Sequence, residues 1–475
     1  MKRVSVRVYT NARLSGIRDD EVAGNKKKRQ YHRPPAQKAG IIRPVRLSQC
    51  MIVKNEEKNI ERALSWAKGH AFEQIVVDTG STDRTVEIAE SMGAKVYHFE
   101  WINDFSAAKN YAISFCTGNW IALLDADEWV PECDMPKLME MLKLFTNDSE
   151  YKRYNIIRTS LVNVNDEGKP FHTMTQNRFI RNNCGIEYVG AIHEMLTSRQ
   201  KAPELIEATE ITILHSGYSQ SVYKETDKLD RNIEMIRREV KQHPENLEMK
   251  AYLADSLDVR PDEESKNESL ELYREVADSD IIVHSMLGRN AFMKVIANFI
   301  VEGDLHNAEK YVRRAIERLP EYMDFYALKN EILYKTERYT EAWESIRTCE
   351  KLFEQYGATQ PNGLIEKPVK LFTAMYLTAV QLNDAQNAVK YATLALKEDK
   401  MQAGTLGPLL MALKHFGNAT DNEIFGFLEG LYDFNEMRDK VFLARVANSV
   451  ELLDIRDRIM ERITPEERAY MAAPE

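Results

Sequence analysis

The sequence contains no run of eighteen apolar residues, which is the shortest length for a helix that crosses a bilayer. Its first eight residues, Met-Lys-Arg-Val-Ser-Val-Arg-Val, lack the apolar stretch of a secretory signal. Cysteine is scarce as well, with five residues among 475 and no metal-ligand spacing. These absences predict a cytoplasmic protein with reduced thiols and without a transmembrane segment.

The net charge is −10, but the two signs are unevenly distributed along the chain. Residues 1–46 carry thirteen Lys and Arg against three acidic residues, which predicts a basic, flexible amino-terminal arm. The remainder is strongly acidic, which argues against a protein that binds nucleic acid. A chain of 475 residues is too long for one hydrophobic core, so we expect several domains.

Strand and helix patterns alternate from residue 47 to residue 124. Short apolar runs predict strands at 47–53, 75–78, 95–99 and 120–124, and helical periodicity follows the first three. This alternation predicts a Rossmann-like α/β domain with a mainly parallel sheet and right-handed crossovers. A turn at 165–168, flanked by β-type runs on both sides, then predicts an antiparallel hairpin.

The fourth apolar run stops at Asp125-Ala126-Asp127. Ligands of open α/β sheets bind beyond the carboxyl ends of the strands, so we expect these two carboxylates at a ligand-binding crevice. Residues two apart in extended backbone point the same way, and carboxylate oxygens suit Mg²⁺ or Mn²⁺ beside a diphosphate. The alternative interpretation is a pair of exposed acids in a loop.

Helical periodicity dominates after about residue 220. Ala308 and Ala342 lie thirty-four residues apart, and Ala315 and Cys349 keep the same offset. Thirty-four is the period of tetratricopeptide helix pairs, in which small residues let the helices approach closely. We therefore predict an all-α repeat domain over 221–475, whose concave surface would hold an extended peptide or form a homodimer contact.

Five stretches of the first half resemble the family-2 glycosyltransferases of the GT-A fold, across residues 47–220. The stretches are 51–57, 76–83, 104–110, 124–128 and 193–194. With its helical half, the whole chain resembles bacterial glycosyltransferases that carry tetratricopeptide repeats, among them peptide S-glycosyltransferases. The resemblance implies an inverting transfer from a nucleotide-sugar donor, with a UDP-sugar favoured, and a Mn²⁺ or Mg²⁺ cofactor.

The resemblance also implies roles for individual side chains. The residues predicted to bind the nucleotide-sugar are Val53, Asn55, Glu56, Asp78, Lys109, Asp125 and Ala126. The predicted metal ligands are Asp127, Asp125 and His215, and an imidazole ligand suits Mn²⁺ better than Mg²⁺. Glu194 is the predicted base that takes the proton of the acceptor. A hydrogen-bonded core histidine is the alternative for His215.

Three other residues have structural alternatives. The alternative for Asp78 is a helix-capping residue in a strand–helix turn, and the alternative for Lys109 is a solvated lysine on the helix surface. Glu194 fits an acid that pairs with Arg178 or Arg181.

The acceptor is predicted to be a peptide or protein side chain, with a cell-surface glycan or lipid-linked sugar as the alternative. Sugar nucleotidyltransferases share the fold, but they carry a glycine-rich loop where this chain has Lys54-Asn55-Glu56-Glu57. A non-catalytic scaffold that only binds nucleotide is disfavoured by the presence of Asp78, Asp125 and Asp127.

Overall fold

The computed structural model describes residues 7–8, 42–149, 151, 153–199, 203–216, 228–279, 281–356, 368–415, 419–465 and 467. It divides into two compact units, Met1–Val276 and Ala277–Glu475. The first unit extends past the predicted boundary at residue 220, because two whole helices beyond that point belong to it.

A nine-stranded sheet forms the centre of the first unit. The strands are β1 Arg7–Val8, β2 Leu47–Val53, β3 Ala71–Asp78, β4 Lys95–His98, β5 Trp120–Leu123, β6 Glu128–Trp129, β7 Ile156–Val164, β8 Pro170–Arg181 and β11 Leu205–His215. Their order is β1-β11-β7-β8-β5-β2-β3-β4, with β6 beside β11. Strands β5, β2, β3 and β4 are parallel neighbours, as predicted, and β7 with β8 forms the predicted antiparallel hairpin.

Two short strands, β9 Ile186–Val189 and β10 Met195–Ser198, form a separate antiparallel pair that the sequence pattern did not predict. Their connection, residues 190–194, carries the predicted base.

Helices pack on both faces of the parallel strands, which explains why most residues of β2, β3 and β5 are buried. The helices of this unit are α1 Ile60–Ser65, α2 Thr85–Ser91, α3 Phe105–Ser114, α4 Met135–Asn147, α5 Lys228–Gln242, α6 Leu247–Asp258 and α7 Glu263–Asp278, which crosses the boundary between units. Helix α3 begins where Asp104 accepts a hydrogen bond from the Ala107 amide at 2.8 Å.

The basic arm contributes to the sheet at one point. Arg7–Val8 pair antiparallel with Glu207 and Ile206 of β11, and the flexible arm stays a prediction for the rest of the segment. The open backbone groups of an edge strand explain this pairing. The remaining residues up to 41 lie outside the described part of the chain.

The second unit consists of helices in the described residues. They are α8 Met286–Glu302, α9 Leu305–Arg318, α10 Met323–Lys335, α11 Tyr339–Tyr356, α12 Pro368–Gln381, α13 Ala385–Glu398, α14 Ala403–His415, α15 Asp421–Leu431, α16 Met437–Ser449 and α17 Leu453–Glu461. The predicted small residues Ala308, Ala315, Ala342 and Cys349 are all fully buried. The tetratricopeptide-like repeat is confirmed.

Backbone conformation also repeats in this unit. Gly303 and Glu337, thirty-four residues apart, both adopt positive φ, of 78° and 59°, between consecutive helices. Asn383 and Glu451 do the same at 58° and 60°, two periods apart. Among the described residues, none of the helices is long and apolar enough to cross a membrane.

Candidate functional site

The predicted site residues converge on the carboxyl edge of the sheet. Val53 ends β2 and Asp78 ends β3, and the two are paired across the parallel ladder. Asp125 and Asp127 follow β5, and His215 ends β11. Five of the predicted residues therefore lie at the edge where open α/β sheets bind ligands.

Asp78 is buried and organises the turn that follows β3. Its carboxylate accepts hydrogen bonds from the amides of Gly80 and Ser81 at 3.1 Å each, and His98 Nδ1 lies 3.5 Å from Oδ2. This is the turn-capping geometry that formed the alternative interpretation of Asp78. A contact with a nucleotide base stays a prediction for this residue.

Asn55 and Glu56 extend the same edge from β2. Asn55 adopts a positive φ of 56°, and its side-chain oxygen accepts a hydrogen bond from the Thr82 amide at 2.8 Å. Burial raises the pKa of the Glu56 carboxyl, and the negative charges of Asp127 and Asp125 raise it further. Glu56 is thus close enough to Asp125 and Asp127 for their negative charges to act on its carboxyl.

Arg178 holds the first aspartate of the pair. Its guanidinium donates to Asp125 Oδ2 at 2.9 Å and also forms an ion pair with Glu128, which is only 1% exposed. Glu128 Oε2 in turn accepts the backbone N–H of Asp125 at 3.1 Å. The three side chains fix the direction in which the chain leaves β5.

Two carboxyls of this network have strongly shifted pKa values in opposite directions. Burial raises the pKa of Asp125, but the cations Arg178, Lys109 and His215 outweigh it and lower the value to about 2. Burial raises the pKa of Glu128 to about 7, with Arg178 opposing and Asp125 adding to the rise. Asp125 is therefore a permanent anion at neutral pH.

Asp127 and His215 form a second pair. His215 Nε2 lies 3.4 Å from Asp127 Oδ2, and its Nδ1 lies 2.8 Å from Asn163 Oδ1. Because an amide oxygen only accepts, Nδ1 must carry a proton, and Nε2 faces the carboxylate. Burial lowers the pKa of His215, but the hydrogen bond and charge of Asp127 raise it overall.

This pair fits a divalent cation. Two ligands of an octahedral ion at about 2.1 Å lie about 3 Å apart, close to the separation of these two atoms. A metal-binding histidine commonly donates its other N–H to a neighbouring oxygen, as His215 does to Asn163. Within the described residues, however, no three or more His, Cys, Asp or Glu side chains gather as a metal site. Asp125 faces Arg178 instead, so a third ligand from the protein is not in place.

Lys109 and Glu194 form an ion pair near the acidic residues. Both side chains are largely buried, at 7% and 14% exposure. Burial lowers the pKa of Lys109, but Asp125 and Glu194 raise it overall, so its ammonium stays charged. Glu194 therefore pairs with Lys109 rather than with Arg178 or Arg181, and Lys109 is no solvated surface lysine. Their predicted roles toward base and phosphate stay predictions.

Ala126 is 3% exposed and packs in the core with Met51 and Val53. Any contact it makes with a donor would therefore use its backbone.

Sequence reasoning missed the roles of Arg178, Glu128 and Asn163. The antiparallel register of β8 on β5 pairs Phe179 with Ala122, which brings Arg178 to the end of β5. Glu128 adjoins the acidic pair in the sequence, and that adjacency was the one available signal. Asn163 faces His215 through the register of β7 on β11, which a sequence does not reveal.

Comparison with known proteins agrees with this organisation. The model of "Glycosyl transferase family 2" matches residues 48–189. A TPR repeat-containing protein of Synechococcus elongatus is 32% identical over 219 residues, which are 44% of this chain and 51% of that protein. An uncharacterized glycosyltransferase of Rickettsia bellii is 40% identical over 111 residues, 23% and 37% of the two chains. The prophage-derived glycosyltransferase SunS of Bacillus subtilis is 27% identical over 201 residues, 41% and 45%.

The chain thus spans about half or less of the length of these curated relatives. Among solved structures, S. aureus TarS is similar over 54% of each chain at 15% identity, with a TM-score of 0.33. The family model covers the part of the chain that forms the parallel strands and carries the acidic pair Asp125 and Asp127. Residues 48–189 therefore match glycosyl transferase family 2, in a chain that continues into tetratricopeptide-like helical repeats.

Proposed function

We propose that this protein is an inverting glycosyltransferase that takes its sugar from a nucleotide-sugar donor, with a UDP-sugar favoured. The observation that carries the proposal is the arrangement at the carboxyl edge of the sheet. There Asp127 faces His215 at 3.4 Å, while Arg178 holds Asp125 at 2.9 Å. One aspartate thus lies beside an imidazole that would join it in holding a cation, and the other is oriented by the protein.

The donor would lie across this edge. Asp78, Asn55 and Glu56 would line the base and ribose, because they flank the ends of β2 and β3. Asp125 would accept a hydrogen bond from a ribose hydroxyl, since its side chain is 43% exposed and its carboxylate is ionised. Lys109 would offset negative charge on the departing nucleotide, because its buried ammonium lies within the field of Asp125.

Asp127 and His215 would hold Mn²⁺ or Mg²⁺. Such an ion neutralises a diphosphate leaving group. His215 is oriented for this role by Asn163, and the imidazole nitrogen favours Mn²⁺.

Glu194 would accept the proton of the acceptor. Lys109 bonds to its Oε1, and the structure gives no partner among the described residues for Oε2. One oxygen is therefore oriented by the protein and the other is available to a reactant. A thiol acceptor would need less help from this base than a hydroxyl, because thiols ionise more readily.

A peptide or protein side chain is the proposed acceptor class. Helical repeats present extended surfaces that bind polypeptides, and the second unit is built of such repeats. A surface glycan or a lipid-linked sugar remains the alternative acceptor, and a homodimer through the repeats remains the alternative use of that surface. A cytoplasmic location stays a prediction.

The direct test is release of UDP from a panel of UDP-sugars by the purified full chain with Mn²⁺. We expect slow hydrolysis of at least one donor, because water can replace the acceptor. EDTA or Asp127→Asn should lower that rate by at least about 100-fold.

Asp384→Asn is the matched control. Asp384 caps α13 in the repeats by accepting the Asn387 amide at 3.1 Å, and asparagine also caps helices. Its rate should equal that of the wild type. Hydrolysis that resists EDTA, or that survives in Asp127→Asn, would contradict the proposed role of the Asp127–His215 pair.

A further inference from the structure

The segment 190–194, which joins β9 to β10 and ends at Glu194, is held at every one of its residues. Ser106 Oγ donates to the Gly190 carbonyl at 2.6 Å, and the Phe105 amide donates to the Ala191 carbonyl at 2.8 Å. Glu194 itself is bonded to Lys109. The first turns of α3 therefore supply three of the five anchors.

Helices α5 and α6 supply the other two anchors. Ile192 is 4% exposed and packs in one hydrophobic cluster with side chains of both helices, namely Ile233, Met235, Ile236, Leu253 and Leu257. The ring of His193 stacks on the ring of Tyr252, with centroids 3.6 Å apart and planes within 7°. The helical pair beyond residue 220 thus forms one wall of the segment that carries the predicted base.

The backbone of His193 is left-handed, with a φ of +51°. This region is uncommon for residues other than glycine, although histidine is among those that adopt it more often. Strained backbone persists only where the surroundings fix it, and it recurs at functional sites. The Tyr252 ring covers the side chain of this residue, directly beside Glu194.

We propose that Tyr252 is a positioning residue for Glu194, acting through the stack on His193 and the left-handed backbone at that position. Helices α5 and α6 then belong to the catalytic unit. This inference rests on the proposed function. It assigns no contact between Tyr252 and a reactant.

The test compares Tyr252→Ala with Tyr252→Phe in the full chain, using UDP release from the donor that the wild type hydrolyses in the presence of Mn²⁺. Tyr252→Ala should lower kcat by at least about tenfold, because small displacements of a catalytic group cost that much. Its KM for the donor should stay within about twofold, because the predicted donor groups lie on other elements. Tyr252→Phe keeps the ring and should retain the wild-type kcat.

Tyr334→Ala provides the matched control in the repeats. Tyr334 also contacts another aromatic ring, that of Tyr339, at 5.5 Å between centroids. Its loss should leave kcat unchanged. An unchanged kcat in Tyr252→Ala, or an equal loss in Tyr252→Phe, would overturn the positioning role.

Hydrogen–deuterium exchange separates this inference from the proposed function. Tyr252→Ala should speed exchange in the peptide that covers 190–194 and leave β2 and β5 protected. If the wild type releases no UDP from any donor, the proposed function fails, and exchange still tests the stack. If Tyr252→Ala unfolds, Tyr252→Leu keeps apolar volume without a ring and should show the same local effect. Unchanged exchange at 190–194 in the folded variant would overturn the inference.

Discussion

The two units of this chain differ in how their buried charged residues are arranged. In the first unit, Lys109, Arg178 and Glu128 gather around Asp125 at the carboxyl edge of the sheet, while buried Glu73 lies apart from them at the opposite edge. In the second unit, buried charged side chains bond in separate pairs, such as Lys440 with Glu467 and Asp439 with Lys400, and buried neutral polar groups bond to neighbouring helices. Asn330 donates to the Ala342 carbonyl at 3.0 Å, for example, within the helical stack.

The difference teaches where chemistry can take place. Desolvated charges are expensive, and a protein that collects several of them in one place pre-organises an electrostatic site. Isolated, satisfied polar groups specify how helices pack. The comparison therefore supports the proposal that places reaction in the first unit and recognition or assembly in the second.

The largest expected effect in the first unit follows from Arg178→Met. This change leaves Glu128 and Asp125 without their shared cation, and breaking a buried ion pair in this way costs about 3 kcal/mol. Urea denaturation of the full chain, followed by far-UV circular dichroism, measures the free energy of unfolding.

Arg181→Met on the same strand is the matched control. Arg181 donates to the carbonyls of Phe145 and Tyr154 and, within the described part of the chain, to no carboxylate, so its loss should cost less. Loss of Arg178 raises the pKa of Glu128 above its value of about 7, so Asp125 is the partner that stays charged. Adding Asp125→Asn to Arg178→Met should therefore restore about 1 kcal/mol, because that charge is removed. Equal costs at the two arginines would show that unpaired charge is not the cause.

A smaller effect is expected at the opposite edge of the same sheet, where Glu73 is 8% exposed. Burial raises the pKa of Glu73, but hydrogen bonds from Thr117, Lys95 and Ser48 lower it to about 2, from an ordinary 4.5. A lowered carboxyl pKa stabilises the fold above pH 4.5, and this contribution is lost as the pH falls toward 2.

We therefore expect Glu73 to account for about 2 kcal/mol of the stability that is lost between pH 5 and pH 3. Urea titrations at several pH values should show a shallower pH dependence in Glu73→Gln. Glu87→Gln, which removes an exposed partner of Arg84, should keep the wild-type slope. An unaltered slope in Glu73→Gln would refute the role of this carboxylate.

The smallest effect is expected from Ala342→Leu in the repeats. Ala342 is fully buried between helices, so the added methyl groups overpack the interface and cost about 1.5 kcal/mol. Ala297→Leu on the exposed side of α8 is the matched control and should cost almost nothing. UDP release should be unchanged in both variants. A loss of hydrolysis in folded Ala342→Leu would contradict the proposal that the first unit alone carries the reaction.

Sequence patterns predicted the sheet more completely than the site. Strand β2 was predicted with its observed bounds, since its residues are buried on both faces. Strand β3 was predicted from residue 75, but it begins at Ala71, because Glu73 and Gln74 find partners inside the fold. A pattern of residue types does not show such partners.

Only some residues of the site were predicted, because residue types do not show which side chains meet in the fold. Acidic residues at the end of an apolar run can be recognised in the sequence alone, and Asp125 and Asp127 do follow the strand β5. Arg178 and Asn163 act through strand register, which depends on distant residues. Glu194 lies directly before β10 and Lys109 lies on α3, so their pairing likewise depends on residues that are 85 positions apart in the sequence.

Binding of UDP to the full chain tests the central claim most directly. Isothermal titration calorimetry would compare the wild type with Asp127→Asn, each with Mn²⁺ and with EDTA. The account predicts that UDP binds the wild type with Mn²⁺, and that EDTA or Asp127→Asn raises Kd by at least about tenfold. Equal affinity under all four conditions would contradict a cation-assisted diphosphate site at this edge of the sheet.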